Sequence, residues 1–389
     1  MAKWLEKTLG EVTAFIAKGI PPKYTEEENE NTIRVLNQKC NRNFEISYNE
    51  SRIHDCEKKK VPVDKMLRSG DVLINSTGTG TAGRVAQLVE VTVPTTIDGH
   101  MILMRPSEEL DPIYYGYAVK SFQSQIEGLA EGSTGQTEIN RRRLQDEVII
   151  RYPSDKLVQK NIGSFLANID EKIKTNKEIN KNLEQQAQAI FKSWFIDFEP
   201  FGNRKPSDWS VSTLGNVSIM GAGGDKPQSV SQIKTDLYEY PIYSNGLSNE
   251  GLYGFTDKPK IFEESVTVSA RGTIGFVCLR HIPYVPIVRL VTLIPKAEII
   301  SAKYLYLWLK QLHITGTGTT QQQLTVPDFQ KTEILVPSQE IVTLFTATVE
   351  PIFEKIWATQ NENGKLASLR DALLPKLMSG ELDVSNIDL

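Results

Sequence analysis

The sequence predicts an α+β chain: two similar α/β globules joined by two long helices that form an antiparallel coiled coil. Three observations carry this expectation. An internal repeat runs the length of the chain, two stretches of about 40 residues keep apolar spacings of three and four, and a turn-rich joint separates the halves. A length of 389 residues leaves room for two or three domains of about 100–200 residues.

The repeat comes in five blocks in one order. Trp4-x-x-x-Thr8-Leu9-Gly10-x-Val12 returns as Trp209-x-x-x-Thr213-Leu214-Gly215-x-Val217. Gly80-Thr81-Ala82-Gly83 returns as Gly272-Thr273-Ile274-Gly275, each after a β-rich run (Asp71 to Asn75; Ser265 to Val268). Met101 to Met104, closing on Pro106, is echoed by Leu290 to Ile294 closing on Pro295. Gln136-Thr137-Glu138-Ile139 matches Gln321-Gln322-Gln323-Leu324, and the strand-like Val148 to Ile150 matches Ile334 to Val336. Drifting offsets with conserved order mean duplication followed by loop divergence.

Each copy ends in a Pro-Ser step, and Ser154 and Ser338 are the expected helix N-caps. In the first helix Val158, Ile162, Phe165 and Ile169 begin a seam that resumes at Asn176, Leu183, Ala187, Ile190 and Trp194, over roughly 60 Å at 1.5 Å per residue. The second places Ile352, Ile356, Thr359, Asn363, Leu366, Leu373 and Leu377 on one face, with Pro351 expected to kink it or mark its start. One narrow stripe per helix suits a two-helix seam. If Asn176 faces Asn363, then Ile162 meets Leu377, Leu183 meets Ile356 and Trp194 meets Phe345; the asparagines either fix that register or merely fray it. The resulting partition is a first globule at 1–153, a helix at 154–198, a linker at 199–208, a second globule at 209–337, and a helix with tail at 338–389.

The net charge of −4 and pI near 5.8 argue at first against a nucleic-acid binder. Residues 1–153 carry 20 basic and 22 acidic side chains, 154–200 seven of each, 201–337 13 and 11, and 338–389 four and eight. The acidity therefore belongs mainly to the C-terminal helix segment, and local basic runs matter more than the total. Lys58-Lys59-Lys60 and Arg141-Arg142-Arg143 are such runs, or simply solvated surface, and Arg84 and Arg271 sit within the repeated Gly turns. The polar loops Gly132 to Thr137 and Thr315 to Gln323 lie at matching positions. Gln and Arg can read adenine and guanine edges, although such loops can equally be plain polar turns.

Other chemistry finds little support. Gly78-Thr79-Gly80-Thr81-Ala82-Gly83 has dinucleotide-fingerprint spacing, but Arg84 to Val89 reads as β where that fingerprint needs a helix. His54 between Cys40 and Cys56 lacks metal-ligand spacing, and three cysteines make no disulfide framework. No phosphate loop, no H-E-x-x-H and no adenine-methyltransferase tetrapeptide of the Asn-Pro-Pro-Phe type occurs. No apolar stretch is long enough to span a membrane, so a soluble, cytoplasmic, non-catalytic binding protein is expected.

Two segments carry a family resemblance. Leu183-Glu-Gln-Gln-Ala-Gln-Ala-Ile-Phe191-Lys-Ser-Trp-Phe-Ile-Asp-Phe198 resembles the central conserved region of type I restriction–modification specificity subunits, and Leu369-Arg-Asp-Ala-Leu-Leu-Pro-Lys-Leu-Met-Ser-Gly-Glu-Leu382 resembles their distal conserved region. The resemblance implies two target-recognition domains, each reading half of a split, asymmetric sequence in double-stranded DNA, with the helices as a ruler setting the gap. It implies two modification (methyltransferase) subunits performing N6-adenine methylation and two ATP-dependent restriction subunits as partners. S-adenosylmethionine, ATP and Mg then belong to those partners, and this chain binds no cofactor or metal. By the same resemblance the DNA contacts are expected at Thr77, Thr79, Arg84, Ser269, Arg271 and Thr273 on the Gly turns. A second set falls on the loops before the helices, at Thr134, Gln136, Asn140, Arg141, Arg142, Thr319, Thr320, Gln321 and Gln322. The competing expectations are a stand-alone methyltransferase, disfavoured by its missing motifs, and a tandem-repeat protein-interaction scaffold binding a non-DNA ligand.

Overall fold

The computed structural model describes residues 3–132, 137–316 and 323–382. The chain divides into two compact units, residues 1–176 with 361–389 and residues 177–360, so the division cuts through both long helices.

In the first unit, Trp4–Thr8 pairs antiparallel with Ile149–Pro153. A four-stranded sheet has the order Thr13–Lys18, Met101–Pro106, Val72–Asn75, Val85–Gln87, all neighbours antiparallel. A second sheet runs Thr95–Ile97, Thr32–Leu36, Arg52–Asp55, Tyr24–Thr25, its first pair parallel. Val72, Leu73 and Ile74 are buried on both faces, and Tyr114, Tyr115 and Tyr117 of the helix Pro112–Ser121 fill the core beside the sheet. Asp111 starts that helix by accepting from the Ile113 and Tyr114 amides, ahead of a proline at its first position.

The second unit repeats the plan. Ser210–Thr213 pairs with Glu333–Val336, and the sheet order is Ser218–Ala222, Val291–Pro295, Ser265–Val268, Val277–Arg280. The side sheet keeps its parallel pair, Tyr240–Tyr243 with Val285–Pro286. The duplication extends to single contacts. Gly10 N donates to Gln145 O at 3.0 Å and Gly215 N to Gln330 O at 2.9 Å, while an added Cβ would lie 3.0 Å from Gln145 Cβ in one unit and 3.1 Å from Gln330 Cβ in the other. The repeated glycines are therefore sites of close approach between the first strand and the short helix.

The long helices run Lys156–Phe195 and Gln339–Ser379. Two expectations need correction. Asp155, not Ser154, caps the first helix, its carboxylate accepting from Leu157 N at 2.8 Å. A carboxylate is the stronger acceptor at a helix start, where backbone N–H groups lie unsatisfied. The second helix does start after Ser338, whose carbonyl accepts from Val342 N, and it continues through Pro351, which is exposed.

Within each unit the paired helix segments are antiparallel and in the expected register. In the first unit Asn176 Nδ2 donates to Asn363 Oδ1 and Glu362 Oε2, both at 2.9 Å, and Arg370 meets Asp170 at 2.5 Å. Ile162 and Leu377 share one core. In the second unit Asn180 Nδ2 donates to Ile356 O at 3.3 Å, Trp194 and Phe345 have ring centroids 5.7 Å apart, and Leu183 and Ile356 share one core. Asn176 is buried, so its amide must be paired. Asn363→Leu alone is expected to cost about 1–3 kcal/mol in chemical denaturation. Adding Asn176→Leu should return most of it, and equal losses in the single and double variants would show that the pair has no such role.

Candidate nucleic-acid interface

The Gly turn of the first unit joins Val72–Asn75 to Val85–Gln87. Gly83 N donates to Asn75 O at 2.9 Å, and Thr81 N and Ala82 N close on Gly78 O at 3.0 and 2.9 Å. Gly78, Gly80 and Gly83 have φ of 109°, 70° and 86°, the left-handed region that glycine enters without penalty. In the second unit Gly275 N donates to Ser269 O at 3.0 Å, and Gly272 and Gly275 have φ of 69° and 84°. Asn75 thus corresponds to Ser269 and Gly83 to Gly275. The second turn is shorter, which is why it lacks a counterpart of Gly78.

Both turns are clamped to the strand that enters a short helix. Ile139 N donates to Ser76 O at 2.8 Å, and Leu324 N donates to Ala270 O at 3.0 Å. One position earlier, Glu138 bridges to Thr77 through the backbone, while Arg271 Nη2 donates to Gln323 Oε1 at 3.2 Å. The same frame therefore carries different side chains in the two units.

The glycine with a crowded back is the sensitive one. A Cβ on Gly83 would lie 2.6 Å from Glu127 Cα, whereas one on Gly80 meets nothing within 4 Å. Gly83→Ala is expected to cost about 1–3 kcal/mol through strain and clash together, and Gly80→Ala about 1 kcal/mol from φ alone. Melting of the two variants checks the order, and equal losses would show that the turn is not anchored on Glu127.

The expected contact residues fall into distinct classes. Thr79, Arg271 and Thr273 are exposed. Thr77 is half-buried with its hydroxyl 2.9 Å from His100 Nδ1, and Arg84 folds back to donate to Gly80 O at 2.9 Å. By the equivalence above Arg84 follows its turn and Arg271 precedes its own, so they are not counterparts. Ser269 is buried like Asn75, and its backbone closes the turn by accepting from Gly275 N and donating to Phe276 O. Asn140 caps the helix Arg141–Glu147, its Oδ1 accepting from the Arg142 and Arg143 amides. Thr134, Gln136, Thr319, Thr320, Gln321 and Gln322 lie outside the described residues.

The arginine run divides as well. Arg143 is consumed by Glu131 at 2.5 Å and Glu147 at 2.6 Å, and its guanidinium holds both carboxyls below the usual range. Arg142 is 91% exposed, and among the described residues its ion-pair partner is Asp146 at 3.6 Å, which leaves most of its hydrogen-bonding fork open. Arg141 and Arg142 line an open cleft of about 490 Å³ together with Lys18, Glu131, Glu138, Ile139 and Asn140, so its charge is mixed. In the second unit Asn245 accepts from Ala270 N at 2.7 Å and donates to Val288 O at 2.6 Å, pinning the turn to the side sheet. Sequence reading missed Asn245 and Lys18, for which no repeat exists. It missed Glu138 although the repeat had aligned it with Gln323.

His54 is a core residue: Lys23 N donates to its Nδ1 at 2.8 Å, so its Nε2 carries the proton and donates to Lys59 O at 2.7 Å. Among the described residues no group of three His, Cys, Asp or Glu side chains could hold a metal ion, and no helix is long and apolar enough to cross a membrane.

Comparison with known proteins agrees with this geometry. The family described as "Type I restriction modification DNA specificity domain" matches residues 1–185 and 206–363. The chain is 28% identical over 313 residues to the type I restriction enzyme MjaIX specificity subunit of Methanocaldococcus jannaschii, covering 71% of this chain and 69% of that protein. It is 27% identical over 312 residues to the HindI specificity subunit of Haemophilus influenzae, covering 59% and 68%. The fold is similar to the crystal structure of a type I restriction-modification S subunit from M. genitalium, with a TM-score of 0.57, 19% identity, and coverage of 97% and 96%. The duplicated globules, the long helices and the family match together identify the chain as a type I restriction–modification specificity subunit, a non-catalytic member of its complex.

Proposed function

We propose that this subunit recognises a bipartite, asymmetric DNA sequence, each unit reading one half, and directs N6-adenine methylation and restriction by partner subunits. The observation that carries the reading is the site built twice: one Gly-turn frame per unit, with Thr77 and Glu138 in the first where the second has Arg271 and Gln323. Similar frames with different polar side chains are what two readers of different base sequences require. One unit discriminates each mismatched pair by only about 1–3 kcal/mol. Two linked readers act at high effective concentration, and a set spacing adds a geometric filter.

Two modification subunits bringing S-adenosylmethionine, and two restriction subunits bringing ATP and Mg, complete the proposed complex, which works in the cytoplasm. Because partners can supply phosphate contacts, a pI near 5.8 is compatible with this role. Methylome sequencing of cells with and without the chain tests the proposal: a split N6-methyladenine motif should appear only with it, and a continuous motif or no difference would refute it. Arg271→Ala should relax one half of that motif by about 1–3 kcal/mol per affected position and leave the other half unchanged. Equal relaxation of both halves would show that the units do not read separately.

A further inference from the structure

The Lys18–Glu138 pair lies where the first unit's Gly turn, its clamping strand and the cleft lined by Arg141 and Arg142 converge. Lys18 ends the strand Thr13–Lys18 and pairs with Glu138, which opens the strand Glu138–Ile139 and bridges to Thr77. The side chains are 34% and 49% exposed, and as a surface ion pair they contribute little to stability. A carboxylate in a cleft that faces DNA is repelled by phosphates, so its presence beside Arg141 and Arg142 needs a compensating role. The neighbouring Glu131 has one, since Arg143 takes it up.

Base-edge chemistry supplies a role for Glu138. An ionised carboxylate only accepts hydrogen bonds, so it can take the exocyclic amine of cytosine or adenine in the major groove and must reject the carbonyl oxygens of guanine and thymine. The corresponding position in the second unit is Gln323, which both donates and accepts, beside Arg271. We infer that Glu138 is a specificity-determining residue for one half of the target, selecting an amine-bearing base. Lys18 holds the carboxylate at the mouth of the cleft and offsets its charge against the phosphates. The inference rests on the reading of each unit as the reader of one half-site.

The test uses the full chain with its modification subunit, in competition binding on duplexes in which each base pair of each half-site is replaced in turn. The unaltered chain should favour cytosine or adenine at one position by about tenfold or more. Glu138→Gln should flatten that position to within about threefold and leave every other position unchanged. Glu138→Asp, which keeps the charge but withdraws the oxygens by one methylene, should weaken the same position only. Lys18→Met should lower affinity for all duplexes and weaken the preference at the Glu138-dependent position, leaving the other positions in place. An unchanged profile for Glu138→Gln, or a loss shared equally by specific and random duplexes, would overturn the inference while the two-half reading stands. Absence of any bipartite preference in the unaltered complex would overturn both.

Discussion

Phe345→Ala is expected to cost residues 177–360 about 3–5 kcal/mol of stability, the range for deleting a fully buried aromatic side chain. Phe345 has no exposed surface, and its ring lies 4.9 Å from Phe195, 5.7 Å from Trp194, 5.8 Å from Phe191 and 6.3 Å from Tyr304. One side chain thus joins the second long helix to the first and to the helix Ala302–Gln311 of the globule. These neighbours are large rings on separate elements, so they cannot close the cavity by a simple rotamer change. Hydrogen exchange read by mass spectrometry should show faster exchange across 177–360 while amides of residues 3–132 keep their protection. Uniform acceleration, or none, would show that this aromatic cluster is not what holds the second unit together.

Removing residues 173–179 and 360–366 together is expected to abolish modification at the native target and shift it to one with a gap about three base pairs shorter. Seven residues of helix span about 10 Å at 1.5 Å per residue, against about 3.4 Å per base pair. A seven-residue cut on both helices keeps their apolar faces turned to each other. It takes out the Asn176–Asn363 pair and spares Arg370–Asp170 and Phe345. Methylome sequencing of cells carrying the shortened chain gives the gap directly. An unchanged gap with both half-sites intact would remove the helices from any part in setting it.

The fold was legible because its signals are local or periodic. Gly10 and Gly215 mark the same close approach in both copies, and Gly80 and Gly272 the same left-handed turn, because backbone geometry admits few other residues there. The register of the helices followed from apolar spacing and one polar pair, and the structure keeps it at Asn176–Asn363 and at Trp194–Phe345. The helix start at Asp155 was misread because Pro-Ser and Asp are adjacent cap signals, and the carboxylate is the stronger acceptor.

The sequence by itself determined the duplicated α/β plan, the antiparallel pairing of the helices and the family, since all three are written in patterns that a linear chain displays. Only the tertiary structure decided which polar side chains stand at the turns. It buried Ser269 in the frame, spent Arg143 on Glu131 and Glu147, left Arg142 largely exposed beside Asp146, and brought Lys18 beside Glu138 from a distant strand. Whether a charged side chain is available to a ligand depends on its neighbours across the fold, and strands far apart in the chain supply those neighbours with no periodicity to announce them.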